Sequence, residues 1–218
     1  MKKILKWSVS VLGILIVLAV AYFFFLNHQL SQISVGVPIV QSDSDNPALV
    51  VVDIQEATTG KVSITEPLIQ QSETLIPIVN KLAQSAEANG IPVIYIVSEM
   101  DNWFLNLLNS TYKKGTLGTK PDSRMILVSD YIIHKHMNDS FSAPELDALL
   151  TKNKINHLYF AGLDAAYCLK STIQAAQNRN YNVTVIDDAV ISESPDLRGK
   201  AFEHFESNGV SLISSSEF

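Results

Sequence analysis

Three side chains suited to nucleophilic chemistry stand at the ends of apolar runs in this 218-residue chain. Asp53 follows Ala48-Leu49-Val50-Val51-Val52, Lys135 ends the run opened by Tyr131-Ile132-Ile133, and Cys168 lies just beyond His157–Gly162. A thiol at the start of a helix sits in the positive end of the helix dipole, which favours the thiolate, and a nearby ammonium acts the same way. Cys168 is therefore expected to be negatively charged at neutral pH. Asp53 is suited to take the thiol proton and later to activate water. The free N–H groups of the 162–167 turn and of Cys168 offer a cradle for a developing oxyanion. A nucleophile, a base, a cation and an anion cradle together describe amide hydrolysis through a thioester.

These groups act together only if the fold brings the run ends to one rim. Short β-branched or apolar runs at 48–52, 93–97, 131–133, 157–162, 183–186 and 210–213 read as six strands. Between them, Leu75, Val79, Leu82 and Ala86 recur at helical spacing, with Pro77 predicting that the regular helix begins near it or kinks there. Further helices are expected after Ser142-Ala143-Pro144, over 168–179 and near 196–207, while 98–123 reads as long and irregular. Alternating strands and helices mean right-handed βαβ units, hence an α/β fold with a mostly parallel sheet covered on both faces. Ligands bind beyond the carboxyl ends of such strands.

Other residues compete for a role at that rim. Gln55 lies two positions from Asp53, and Trp103, Phe104 and Tyr112 fall in the long loop, where they suit a substrate pocket. His134 and His136 alternate with Lys135 and so face away from it; with no third ligand in view they read as structural. Asp187-Asp188 reads as a capping pair.

Composition narrows the classes. The chain is 47% hydrophobic and carries a formal charge of −6, with no block of basic residues, which speaks against a nucleic-acid partner. A single cysteine excludes an internal disulfide framework and any multi-cysteine metal site. All 22 acids and all but three of the 16 Lys and Arg lie beyond residue 26. Residues 7–26 are 20 uncharged, apolar positions, enough at about 1.5 Å per residue to span roughly 30 Å of hydrocarbon.

Lys2, Lys3 and Lys6 precede that stretch and no Lys or Arg recurs before Lys61, so the positive-inside rule puts residues 1–6 in the cytosol and the rest outside it. The expected organisation is a basic n-region (1–6), a transmembrane signal anchor (7–26), a juxtamembrane linker (27–47) and a hydrolase domain (48–218). The domain is then periplasmic or extracellular. Cleavage after Ala19-Val20-Ala21 would make it secreted.

The segments ALVVVDIQ (48–55), ANGIPVIYIVSE (88–99), IIHKHMNDSF (132–141) and AGLDAAYCLKSTIQAAQNRNYNVTVIDDA (161–189) together resemble the isochorismatase-like cysteine hydrolases. That superfamily includes nicotinamidases, N-carbamoylsarcosine amidases and ureidoacrylate hydrolases. The resemblance implies a three-layer α/β/α fold on a six-stranded parallel sheet. It implies an Asp53–Lys135–Cys168 triad, a cis peptide at Leu163–Asp164, and an oxyanion hole of the Asp164 and Cys168 amides. It also implies a small amide- or ureide-type substrate, no cofactor, and homo-oligomers as an option, since members often oligomerise.

Two departures bear on activity. Ala165 and Leu169 stand where the family turn commonly has Thr and Val. The nicotinamidase metal site, an Asp-x-His pair with further histidines after the second strand, has no histidine to build it in 98–124, so no metal is expected. The alternative to a hydrolase is a catalytically silent domain that binds a ligand or partner at the membrane surface. Isochorismate-type vinyl ether hydrolysis is disfavoured by Cys168, which relatives of that kind lack.

Overall fold

The computed structural model describes residues 2–218, the side chains of 2–6, 8 and 9 excepted, so the side-chain part of the basic n-region lies outside the described residues. Helix α1 runs over Lys2–Leu30. There follow β1 (Pro47–Val52), α2 (Glu66–Ala88), β2 (Val93–Ser98), α3 (Trp103–Leu108) and β3 (Ile132–Lys135). The chain continues with α4 (Pro144–Lys152), β4 (His157–Gly162), α5 (Cys168–Asn178), β5 (Asn182–Val190), α6 (Pro195–Ser207) and β6 (Ser211–Ile213).

The six strands form one sheet in the order β3-β2-β1-β4-β5-β6, every pair parallel. Alternation along β1 explains the three layers. Ala48, Val50 and Val52 pack with Leu146 and Leu150 of α4, Leu169 and Ile173 of α5 and Phe205 of α6. Leu49 and Val51 pack on the opposite face with Leu75, Val79 and Leu82 of α2. Both faces of the strand are dry, which is why it reads as a continuous apolar run.

Four expectations about elements need correction. Helix α2 does not begin near Pro77 but carries it in its interior. Pro77 is exposed, and the buried stripe Leu68, Ser72, Leu75, Val79, Leu82, Ala86 continues through it. Packing that stripe on the sheet outweighs a helix-interior proline, which costs about 3 kcal/mol. The 98–123 stretch contains α3, begun by the Asn102 side chain, which accepts from the Phe104 and Leu105 amides. Strand β5 runs on through Asp187-Asp188 to Val190: Arg198 donates to the Asp187 carbonyl, and Ser215 donates twice to the Asp188 carboxylate.

The fourth correction concerns the linker. Residues 31–46 lie strapped along the domain. Ser34 donates through N–H (2.9 Å) and hydroxyl (2.5 Å) to Asp139, and the Ile39 amide donates to the Arg179 carbonyl at 2.8 Å.

Candidate active site

Strand order reverses between β1 and β4, whose crossovers leave toward opposite edges of the sheet. Such a switch point opens a crevice beyond the carboxyl ends of the strands. Asp53 leaves β1 there with a φ of 55°, a left-handed conformation rarely adopted by residues other than glycine. Its amide donates to the Ile96 carbonyl and its own carbonyl accepts from Thr58, so both ends of the unusual residue are held. Gly162 leaves β4 opposite Val52 with a φ of 113°. A Cβ on it would stand 2.1 Å from the Val52 carbonyl oxygen, so only glycine allows the two backbones this approach.

The structure brings Asp53, Lys135 and Cys168 together. Lys135, 1% exposed, ends β3 and reaches across β2 to the crevice. Its Nζ lies 3.0 Å from Asp53 Oδ2, 3.2 Å from Cys168 Sγ and 3.1 Å from the Met137 carbonyl oxygen. All three ammonium protons thus have acceptors, as burial of a cation demands. Ser98 donates to the other Asp53 oxygen at 2.9 Å, and Asn138 Oδ1 lies 3.9 Å from the sulfur.

Burial and the Asp53 carboxylate act against the expected thiolate. Burial raises the Cys168 pKa, Lys135 pulls it down and the Asp53 carboxylate pushes it up again, leaving it at about 12. Burial also works against the charge on Lys135, but Asp53 and Cys168 outweigh it and hold the ammonium above the usual lysine range. One cation faces two groups able to be anionic. With Asp53 paired to Lys135, a second negative charge would be buried without compensation, which disfavours the thiolate.

The turn between β4 and α5 contains a cis peptide at Leu163–Asp164. Its loop is tied down by the Asp164 side chain, which accepts from the Ala166 amide, the Ser192 hydroxyl and the Glu193 amide. Ala165 is fully buried in the core, with its methyl where a threonine would have to satisfy a hydroxyl. Asp164 with Ser192 supplies the polar support instead. Among the described residues, neither the Asp164 nor the Cys168 amide donates to a backbone or side-chain acceptor, which leaves both for a ligand.

The pocket residues expected from sequence are distributed differently. Gln55 is fully buried and its amide is committed to protein: it donates to the Ser98 and Gly118 carbonyls and accepts from the Ser98 amide. It is a bracket between the ends of β1 and β2, with no donor left for substrate. Trp103 is 70% exposed, and Phe104 packs edge-on against Tyr22 of α1 with ring centroids 5.3 Å apart. The aromatic residue at the triad is Tyr112, whose pKa is raised by burial and by the neighbouring Asp53 and Cys168. Ser98, Asn138 and the Met137 carbonyl are functional neighbours that sequence reasoning misses. Strand alternation beside Asp53 and Lys135 was the only available signal, and it reaches Ser98 alone.

The profile of the isochorismatase domain matches residues 47–217, and the chain belongs to that family. Among curated relatives, the Arabidopsis thaliana protein named "probable inactive nicotinamidase" is 30% identical over 166 residues, covering 70% of this chain and 84% of its own length. The ureidoacrylate amidohydrolase of Yersinia enterocolitica is 27% identical over 181 residues, 71% of this chain and 79% of that one. Among solved structures, the N-carbamoylsarcosine amidase of Thermoplasma acidophilum superposes with a TM-score of 0.67 at 26% identity, over 79% of this chain and 98% of that one.

Proposed function

We propose that the protein is a cysteine hydrolase that cleaves a C–N bond of a small amide or ureide through a thioester. The observation that carries this reading is the single buried ammonium of Lys135, which contacts both Asp53 and Cys168. As sulfur attacks the substrate carbonyl, its proton passes to Asp53, and Lys135 keeps the two groups from holding adjacent uncompensated charges. The Asp164 and Cys168 amides receive the developing oxyanion. Collapse of the tetrahedral species expels the nitrogen, which takes the proton from Asp53, and leaves the thioester. Water then gives a proton to Asp53 as it attacks, and departure of the acid returns that proton to sulfur. The relatives named for ureidoacrylate and N-carbamoylsarcosine hydrolysis support the substrate class.

The reading extends to location. Ser10–Leu30 is long and apolar enough to cross a membrane, and none of it is buried inside the protein, as a membrane anchor requires. With the basic residues ahead of it, the hydrolase domain lies on the extracytosolic side. The test of function uses the full chain in detergent, a panel of small amides, ureides and carbamoyl compounds, and ammonia release as the readout. Release by the wild type and not by Cys168→Ala is expected. Equal release from both rejects the assignment, and no release from either favours the silent binding domain, the reading to which the relative named inactive lends support.

A further inference from the structure

Building on the reading of α1 as a membrane span, we propose that α3 is a second contact with the bilayer. Its Trp103, Leu107 and Leu108 side chains insert into the lipid interface beside α1, on the side of the membrane that holds the domain.

The segment is suited to lipid by composition. Residues 102–112 carry no charged side chain and are bracketed by Asp101 and Lys113. Asn102 starts the helix, and Asn106 ties its inner side down by donating to the Met100 carbonyl at 3.0 Å. Trp103 and Leu107 are one turn apart and share a face, with Leu108 beside them. These three side chains are 70%, 75% and 61% exposed. Exposed apolar residues scattered singly need no partner, but a contiguous patch of large ones marks an interaction surface.

What covers this patch follows from its place on α1. Besides the packing of Phe104 on the Tyr22 ring, Asn102 Nδ2 donates to the Tyr22 hydroxyl at 3.4 Å. Tyr22 lies four residues before Leu26, where the apolar run gives way to Asn27-His28-Gln29. At about 1.5 Å per residue, Tyr22 is roughly 6 Å inside the edge of the hydrocarbon. Interfacial helices bury their apolar face about 5–10 Å into that same boundary. A bilayer crossed by α1 therefore meets α3 at the depth its exposed face requires, and Trp and Tyr favour that depth.

The fold holds α3 in this position. The Met100 amide donates to the Tyr112 carbonyl at 2.7 Å, which closes the base of the excursion that carries α3. The other contact with α1 is the Leu30 carbonyl, which accepts from the amide of Asn138, the residue whose side chain approaches the Cys168 sulfur. Both contacts come from segments that leave the carboxyl ends of β2 and β3. The rim that bears the triad is thus the membrane-facing end of the domain.

The experiment places the full chain in phosphatidylcholine vesicles. Trp7 and Trp103 are its two tryptophans, so Trp7→Phe isolates Trp103 and Trp103→Phe isolates Trp7. The Trp103 emission is expected to be blue-shifted from that of tryptophan in water. Phospholipids brominated near the head of the acyl chain should quench it more than those brominated near the chain end. Leu107→Glu combined with Leu108→Glu should shift the Trp103 emission to the red and weaken its quenching, while quenching of Trp7 stays as it was. Both leucines are exposed, and circular dichroism checks that the double variant folds. Quenching of Trp7 without quenching of Trp103 overturns the proposal and leaves the anchor in place, whereas quenching of neither overturns both. A blue-shifted Trp103 that brominated lipid does not quench would put protein, such as a second copy of the chain, on α3 and equally overturns it. None of these readouts uses hydrolysis, so they stand apart from the test of the enzyme.

Discussion

Asp53 sets the chemistry of Cys168 in two opposing ways, and the two separate under substitution. Its carboxylate raises the thiol pKa and, in the mechanism proposed above, is also the base that receives the proton. Replacing it by Asn removes both effects. In the wild type without substrate, alkylation of Cys168 by iodoacetamide is expected to be slow at pH 7 and to rise only in strongly alkaline solution, since the thiol is pushed up to about 12. In Asp53→Asn the sulfur keeps Lys135 and loses the competing charge, so its midpoint falls and alkylation at pH 7 speeds up. Hydrolysis falls at the same time, by about 10²–10⁴-fold for a lost general base. A pH–alkylation profile beside an ammonia assay checks both directions. If Asp53→Asn slowed alkylation, the ground-state proton would not be where this geometry holds it. Asp53 and Lys135 are legible in the sequence because each ends an apolar run, and Cys168 because it opens the helix that follows one. Met137 and Asn138 are not, because their contribution is a loop conformation that leaves no periodicity.

At the scale of elements, the parallel sheet is legible because strands buried on both faces read as unbroken β-branched runs, as Val50-Val51-Val52 does. What escapes is decided by contacts distant in sequence. Pro77 reads as a helix start or a kink, and the helix instead begins well before it because the stripe on either side of it is buried. Asp187-Asp188 reads as an end, but Arg198 and Ser215 hold the strand there. The long 98–123 stretch hides α3 because its start depends on one Asn102 side chain. The most sensitive joint is the β1–β4 switch point. Gly162→Ala would set a methyl 2.1 Å from the Val52 carbonyl and force an alanine to a φ of 113°. The expected outcome is a loss of at least about 2 kcal/mol in chemical denaturation, with activity lost in the folded fraction as well. Gly199, with nothing within 4 Å of its added methyl and no left-handed backbone, is the control. Gly199→Ala should be neutral or slightly stabilising in its helix.

At the scale of the whole molecule, the residues that follow α1 hold the loop that serves the triad. The Leu30 carbonyl, at the end of α1, accepts from the Asn138 amide at 2.9 Å, and Ser34 donates twice to the neighbouring Asp139. The same loop gives Lys135 its third acceptor, Met137, and brings Asn138 toward the sulfur. The strap also covers Arg179, whose guanidinium is paired to Asp147 and donates to the Ser34 carbonyl. The family domain begins at residue 47 and contains none of this strap. Two truncations therefore have different expected outcomes. A chain starting at residue 30 keeps the Leu30 carbonyl, Ser34 and Ile39 in place and should keep nearly full stability. A chain starting at residue 47 leaves Asp139 without its Ser34 donors. Hydrogen bonds to charged groups contribute about 1.5–3 kcal/mol, so a loss of roughly 2 kcal/mol is expected once water replaces them. The looser 137–139 loop should also lower kcat on any substrate found, with KM less affected, because Lys135 loses a fixed acceptor. Denaturation midpoints and steady-state kinetics of the two truncations decide the matter. Equal stability and equal kcat would mean that the strap only spaces the domain from α1.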